Sequence, residues 1–578
     1  MRILGVSCYY HDAAACLIVD GVIVAAAAEE AFSRKKHDPA FPREAIAYAL
    51  REAGVGIDGV DAVVYYDKPI RKFERIIRSH LDRFPHGFGS FVRNVPNLIS
   101  TELRIRKVLR DLLAYDGVVL FSDHHLSHAA SAFYTSGWDE ASVLTVDGVG
   151  EWSTASWGVG RGNTLTLEGE IRFPHSLGLL YSAMTAYLGF KVNSAEYKVM
   201  GLAPYGEPVH VDKIRQLIHV AADGSFRLDM KYFTFDRGDR MYGPAFEALM
   251  GQPTRALEAP ELTQFHKDVA RSLQVVVDDT MVKLATAVVT RTGVPRLCMA
   301  GGVALNCVAN GEILRRAPVE DVYVQPSAGD AGGAMGAALH AWNGLLQKPR
   351  LPRLPSVYLG PGYTAAEIDG ALESVGAQST RWDEPALFDT VVGHLVAGKV
   401  VGWFQGRLEW GPRALGHRSI LGDPRHPEMR EIINRKIKMR EGFRPFAPSV
   451  LEDKVSDWFA LDRPSPYMLL VAPVRGDRPP LPAITHVDGS ARIQTISRAQ
   501  DARYYDLIAA FGAATGVPIL INTSMNVRGE PIVNTPLHAW RCFMRTEMDV
   551  LVIGDHVLLK EDQPAVALRT AAEEFGLD

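Results

Sequence analysis

The sequence predicts an α/β protein of two domains, the first built on an internal duplication. Three observations predict it. At 578 residues the chain is too long for one hydrophobic core. Short apolar runs alternate with stretches of helical periodicity along its length. The order at the N-terminus, an apolar strand, a small polar loop and further strands, returns near residue 141. Hydrophobic residues are 47% and charged residues 22%, an ordinary globular composition. A net charge of -5 gives no reason to expect a nucleic acid or an anionic membrane as partner.

The elements follow in order. RILGVSC reads as a first strand, because Asp and His interrupt the apolar run that a signal peptide needs. AACLIVDG and VIVAAAAEE form a hairpin turning at Asp20-Gly21. PREAIAYALREAG has helical spacing and opens on Pro42. DAVVYYD and GVVLFSD are strands, separated by a charged helical region over residues 70–112. ASVLTVDGVGEWSTASWGVG opens the second unit, and TLTLEGEIRFPHSLGLLYSAMTAYLGF continues it. Residues 261–290 are helical by periodicity. VPRLCMAGGVALNCVANGEIL gives strand, glycine turn and helix, and DVYVQPSAGDAGGAMGAALHAW repeats that order. The proline-bearing segment Leu345–Val357 marks a boundary between domains at 1–350 and 358–578. The tail after Lys560 reads as one last helix or a solvated end.

No stretch of 18 uncharged apolar residues argues for a membrane span. The five cysteines are scattered and lack CxxC spacing, which fits a reduced, cytoplasmic protein.

DHHLSHAASAFY places His124 and His128 four apart, on one side of a helix. Asp147 ends the strand SVLTVD, and Asp330 opens a helix in PSAGDAGGA. Two histidines and two aspartates make a mixed nitrogen and oxygen set for a cation. The same residues also fit ordinary helix histidines and capping aspartates. No GxxxxGK[ST] loop is present, so a P-loop enzyme is not expected. The small-residue loops VDGVG, AGGVALN and AGDAGGAMG offer backbone amides to phosphates instead, with Gly148, Gly301 and Gly302 as candidates.

These stretches, with VSCYYHDAAACLIVDG, YKVMGLAPYG, EWGPRALGHRSILGDPR, FRPFAPSV and ILINTSMNVRGEPIV, resemble the O-carbamoyltransferases of the nodulation, cephamycin and tobramycin type. The resemblance runs in order over nearly all of the chain. It implies a duplicated actin-like (ASKHA-type) N-terminal domain, like that of the tRNA threonylcarbamoyl enzymes, and a C-terminal YrdC-like α/β domain. It carries His124, His128, Asp147 and Asp330 over as metal ligands, with iron(II) expected and zinc or manganese as alternative occupants. His125 is expected to be structural. His11 is implied as the group that activates the acceptor, with Lys36, or equally Lys35, stabilising charge. Lys198 and Asn306 are implied nucleotide contacts.

In the second domain the resemblance places carbamoyl phosphate among arginines, whose planar guanidinium groups bind phosphate bidentately. Arg413, Arg444 and Arg528 lead, with Arg418, Asn522, Thr523, Ser524 and Asn526 beside them and His417 and Lys438 as further contacts. His486, Asp488 and Arg492 line the same site, with His486 as the proton-transfer candidate.

The implied reaction has two halves. Carbamoyl phosphate and ATP, with magnesium, yield carbamoyl adenylate; the carbamoyl group then passes to a hydroxyl of a small-molecule acceptor. Two alternatives stand: a tRNA threonylcarbamoyltransferase, which the modest charge disfavours, and a nucleotide-regulated binding module. Residues 70–112 and 205–260 are candidates to cover the acceptor. Oligomeric state is not readable, and a homodimer is assumed.

Overall fold

The computed structural model describes residues 1–82, 92, 102–238, 240–259, 261–565 and 570–575. The chain divides into two compact units, Met1–Glu29 with His37–Pro355, and Glu30–Lys36 with Ser356–Asp578. The short segment Glu30–Lys36 therefore interrupts what the sequence reads as one continuous domain. Arg34 explains its allegiance: its guanidinium donates to Glu530 Oε1 at 3.0 Å and to the carbonyls of Pro531 and Ile532 at 2.8 and 2.7 Å.

The first unit contains two five-stranded sheets. The first holds β1 (Arg2–Ser7), β2 (Ala14–Val19), β3 (Val22–Ala28), β4 (Ala62–Tyr65) and β5 (Val118–Phe121), in the order β3-β2-β1-β4-β5. The second holds β6 (Glu140–Val146), β7 (Ser153–Arg161), β8 (Thr164–Arg172), β11 (Arg296–Ala300) and β12 (Asp321–Val324), in the order β12-β11-β6-β7-β8. Between β8 and β11 in sequence, β9 (Ile218–Val220) and β10 (Phe226–Leu228) form a small ribbon. In both large sheets the first three strands pair antiparallel, and the last two add parallel to the first. The second sheet thus repeats the first in strand order and direction, the topology of an actin-like α/β fold. The first hairpin turns through Asp20 and Gly21 at φ 49° and 88°, the double left-handed turn that Asp-Gly favours. The helix read over residues 261–290 runs Gln264–Thr292, ended by Gly293 at φ 72°.

This topology positions the site. Chain segments leaving the carboxyl ends of β1, β5, β6 and β12 carry His11, His124, Asp147 and Asp330. Ligand groups of α/β sheets gather at those ends. Helix Asp330–Leu339 is wedged tightly between its neighbours: a Cβ on Gly5 would lie 1.9 Å from the Ala334 carbonyl oxygen, and one on Gly336 1.8 Å from that of Ser127.

The second unit is built on β13 (Thr380–Arg381), β14 (Val401–Phe404), β15 (Arg418–Gly422), β16 (Ala447–Leu451), β17 (Leu470–Pro473), β18 (Ser490–Ile496), β19 (Ile519–Ser524), β20 (Val550–Ile553) and β21 (His556–Leu559). They make one mixed sheet in the order β13-β21-β20-β14-β15-β19-β16-β18-β17. Helices Glu384–Val396 and Ala502–Thr515 cover it, burying Leu387, Leu395, Leu507 and Phe511 against Trp403 and Val552. Each such side chain contributes about 1.5–3 kcal/mol.

All five cysteines are buried free thiols. Among the described residues no helix is long and apolar enough to cross a membrane. A short helix, Ala571–Phe575, follows the last strand, in the tail that the sequence reads as one last helix or a solvated end.

Candidate functional site

Four side chains from three separate stretches of the first unit converge. His124 and His128 occupy successive turns of helix His124–Ser136, whose second turn brings the rings together. Their Nε2 atoms lie 3.1 Å apart. Asp147 Oδ2 stands 3.0 Å from His124 Nε2 and 3.5 Å from His128 Nε2. Asp330 Oδ1 stands 3.6 and 3.5 Å from the same two atoms. All four residues are buried, and the donor atoms lie within 4.8 Å of one another.

The residues fit a cation. Donors each about 2.1 Å from one ion sit about 3.0 to 3.4 Å from each other, close to the spacings observed. Neither Asp330 oxygen has a hydrogen-bond partner, although the residue is 0% exposed. A buried carboxylate in that state is costly unless a positive charge meets it. The protein alone supplies that charge through its imidazoles. Burial opposes their protonation, but Asp147 and Asp330 outweigh it, raising His128 to about 9 and His124 above its usual value. A dication held by these four residues would take over this role and leave both rings neutral. The donor set is borderline in softness and does not choose between iron, zinc and manganese.

The surroundings are organised around these ligands. Gly302 N–H donates to Asp147 Oδ1 at 2.8 Å. Glu151 accepts from the backbone N–H groups of His124 and Lys68, both at 2.9 Å, fixing the start of the helix. Gly301 takes φ 93°, and a Cβ there would lie 2.3 Å from the Val146 carbonyl oxygen, so this glycine serves close packing beside Asp147. Gly148 lies in the same loop, its carbonyl accepting from Ser176 at 2.6 Å. His125 turns away and meets Thr145 Oγ1 at 2.8 Å through Nδ1. Burial and the neighbouring His124 push it down to about 3, which suits the structural role expected of it.

His11 stands at the edge of the cluster, with Nε2 3.9 Å from Asp330 Oδ2. Its Nδ1 meets Asp12 Oδ2 at 2.8 Å, and Asp12 Oδ1 meets His37 Nδ1 at 2.7 Å. Burial works against protonating His11, but Asp330 and Asp12 raise it to about 10. Asp12 and His37 are missed by sequence reasoning. The only signal is adjacency, Asp12 to His11 and His37 to the lysine pair.

Two expected nucleotide contacts have other partners. Lys198 is 0% exposed and pairs with Glu258 Oε1 at 3.1 Å, because a buried ammonium needs a carboxylate more than a distant phosphate. Asn306 caps helix Cys307–Arg316 by accepting from Ala309 N–H, and it exchanges hydrogen bonds with Gln274.

In the second unit, Arg444 and Arg528 meet around one carboxylate. Glu441 lies 2.7 Å from Arg444 Nη2 and 3.8 Å from Arg528 Nη2. Lys438 is buried beside them in sequence. Its Nζ donates to the carbonyls and side chains of Ser524 and Asn526, the latter's Oδ1 at 2.7 Å. Burial, then the nearby Arg440 and Lys36, holds that amine well below the usual lysine range. Lys36 belongs to this unit. Arg413 and Thr523 are half-buried in the loop before β15 and on β19, and Arg492 is half-buried on β18.

Four expected contacts have protein partners of their own. Arg418 begins β15 rather than lying in a loop, is 0% exposed, and donates to the carbonyls of Gln405, Gly406, His417 and Pro361. Its guanidinium stacks 3.7 Å over Phe404, and burial lowers it to about 10. His417 has both ring nitrogens engaged, with the Arg407 carbonyl at 2.6 Å and Asp501 at 3.2 Å, and stacks on Tyr358 at 3.6 Å. Asp488 is exposed at a turn and accepts from Ser490 N–H and Oγ. Asn522 is buried and ties Ala414, Ser449 and Gln494 together through its amide. His486 is buried at the start of that same turn, its Nδ1 accepting from Val487 N–H.

Comparison with known proteins agrees across the chain. A family model for the carbamoyltransferase N-terminus matches residues 2–339, and one for the carbamoyltransferase C-terminus matches residues 392–560. An uncharacterized protein of Synechocystis, sll1178, is 51% identical over 100% of both chains. Nodulation protein NolNO of Sinorhizobium fredii is 39% identical over 96% of this chain and 79% of its own. Nodulation protein NolO of Bradyrhizobium diazoefficiens is 41% identical over 76% of this chain and 79% of its own.

Proposed function

Because the chain belongs to the carbamoyltransferase family, we propose that it moves the carbamoyl group of carbamoyl phosphate, with ATP, to a hydroxyl of a small-molecule acceptor. The observation that carries this is the match of both family models in order, over residues 2–339 and 392–560. The similarity to nodulation proteins over most of the chain supports a small-molecule product rather than a tRNA.

The first half belongs to the second unit, read as YrdC-like. Carbamoyl phosphate, water and ATP give carbamoyl adenylate, phosphate and pyrophosphate. Arg444 and Arg528 bind the phosphate, Glu441 keeping the two cations close until the anion arrives. Arg413, Thr523 and Arg492 complete the anion pocket. His486 is the proton-transfer candidate, and Lys438, held well below the usual lysine range by burial, is a further contact.

The transfer half belongs to the first unit. His124, His128, Asp147 and Asp330 hold the metal, with iron(II) our assignment. Bound there, the metal polarises the carbamoyl donor as a Lewis acid. A dication at the quartet would take up the charge of Asp330, the chief group that holds His11 protonated, and so would free Nε2 to accept the proton of the acceptor hydroxyl, while Asp12 orients the ring through Nδ1, itself anchored by His37. The hydroxyl oxygen attacks the carbamoyl carbon and AMP leaves. Gly301, Gly302 and Gly148 line the loops that meet the nucleotide.

Anaerobic mass-spectrometric turnover of iron-reconstituted protein with carbamoyl phosphate, ATP and hydroxylated metabolites tests the reading. AMP with an acceptor one carbamoyl group heavier supports it. Absence of any ATP-dependent product, together with absence of carbamoyl-phosphate binding, sinks it.

A further inference from the structure

Glu409 lies in the connection between β14 and β15, shortly before Arg413, and is 5% exposed. Its Oε1 accepts from the backbone N–H groups of Leu415, His417 and Arg418 at 2.8, 2.9 and 3.0 Å. Its Oε2 has no hydrogen-bond partner among the described residues. Burying a carboxylate is costly unless donors or an opposite charge meet it. The three charge-assisted bonds supply the donors. The buried Arg418 supplies the charge: burial lowers its guanidinium, and Glu409 is the first group to oppose that fall.

The carbonyls of the same turn are held as firmly. Asn522 on β19 donates to the Ala414 carbonyl at 3.3 Å, and Gln494 on β18 donates to that of Leu415 at 2.8 Å. Tyr358 Oη donates to the Leu415 carbonyl at 3.0 Å. Gly411 and Gly416 bracket the turn at φ 116° and 115°, a region that glycine enters freely. Ala414, Leu415 and Gly416 are buried, whereas Pro412 is exposed and Arg413 half-buried. The backbone that follows Arg413 is therefore fixed, and Arg413 itself lies toward the surface of the turn.

We infer that Glu409 is a positioning residue of the anion site: its grip on the backbone after Arg413 sets the Arg413 guanidinium for the phosphate of carbamoyl phosphate before that ligand binds. A loop ordered in advance does not spend binding energy on its own ordering. The three N–H groups that could have formed an anion-binding nest are taken by Glu409, so this turn meets phosphate through a side chain. Asn522 and Gln494 serve the same end through the carbonyls.

This rests on the reading of Arg413 as a phosphate contact, and the experiment separates the two. Pyrophosphate release by full-length protein is followed against carbamoyl phosphate at saturating ATP, and carbamoyl phosphate alone is titrated calorimetrically. Glu409→Gln raises KM and Kd for carbamoyl phosphate about tenfold and keeps kcat within about threefold. A merely structural loss lowers the active fraction instead, so kcat falls and KM stays. In an Arg413→Ala background Glu409→Gln changes kcat/KM by less than about twofold, because no guanidinium is left to position. Gln494→Ala, which releases the Leu415 carbonyl, gives the same signature and decides the matter if Glu409→Gln does not fold. Unchanged KM and Kd, or a tenfold effect that recurs in full without Arg413, overturns the proposal. If the wild type binds carbamoyl phosphate without releasing pyrophosphate and Glu409→Gln binds it more weakly, the positioning role stands and the chemical reading falls. If the wild type neither binds nor releases, both fall.

Discussion

At the scale of single residues, burial decides which polar groups are available to a ligand. His128 is 0% exposed and turned toward two carboxylates, so its only use is at the shared centre. In the proposed metal centre, replacing it by alanine removes one of four ligands, and metal affinity, followed as metal content by mass spectrometry, falls by at least about 10–100-fold, more than for the loss of an outer partner. Transfer falls with it. Arg418 looks equivalent to Arg413 in sequence, yet its guanidinium is spent on backbone carbonyls. Spacing cannot reveal that, because it depends on β15 lying beside the loop of Pro361 and Gly406. Asp501 gives a test by pH. Burial tends to raise its pKa, but hydrogen bonding to His417, and to Tyr504 N–H as helix cap, lowers it. A carboxylate depressed in the folded state stabilises above its unfolded pKa of about 3.9, and that stability is lost as pH falls through the folded value. The melting-temperature advantage of wild type over Asp501→Asn is therefore present at pH 6 and shrinks below about pH 4. Asparagine keeps the cap, so the comparison isolates the charge.

At the scale of elements, the histidines and aspartates meet because two ligand-bearing helices touch at backbone distance. Helices His124–Ser136 and Asp330–Leu339 approach so closely that a methyl group on Gly336 would collide with the Ser127 carbonyl. Gly336→Ala must push them apart, costing about 1–3 kcal/mol of stability. Denaturant unfolding measures that cost, and metal affinity falls in the same variant because Asp330 rides on the displaced helix. The elements themselves were legible. Strands β1 to β8 and helix Gln264–Thr292 follow periodicity and turn chemistry, since Asp20-Gly21, Gly293 and alternating apolar runs are local signals. The repeat of strand order is visible in outline as strand, small-residue loop, strand. Its pairing directions are not, because register is a contact between distant segments.

At the scale of the whole molecule, two units divide the proposed chemistry, and metal removal tests the division. Chelation leaves buried Asp147 and Asp330 without their cation, so the melting temperature falls and returns on adding iron(II). Carbamoyl-phosphate-dependent pyrophosphate release persists in the stripped protein, whereas carbamoyl transfer stops. Loss of both together contradicts the division.

By itself the sequence determined the α/β class and the family, and it put His124, His128, Asp147 and Asp330 forward together, because these live in local periodicity and in motifs that keep their order. Only the tertiary structure gave Lys198, Arg418 and His417 their protein partners and joined Asp12 to His11 and His37. It also decided that Glu30–Lys36 belongs with the second unit. The physical reason is common to all of these. A charged side chain is functional or structural according to what compensates it, and the compensating group comes from a segment that folding alone brings near.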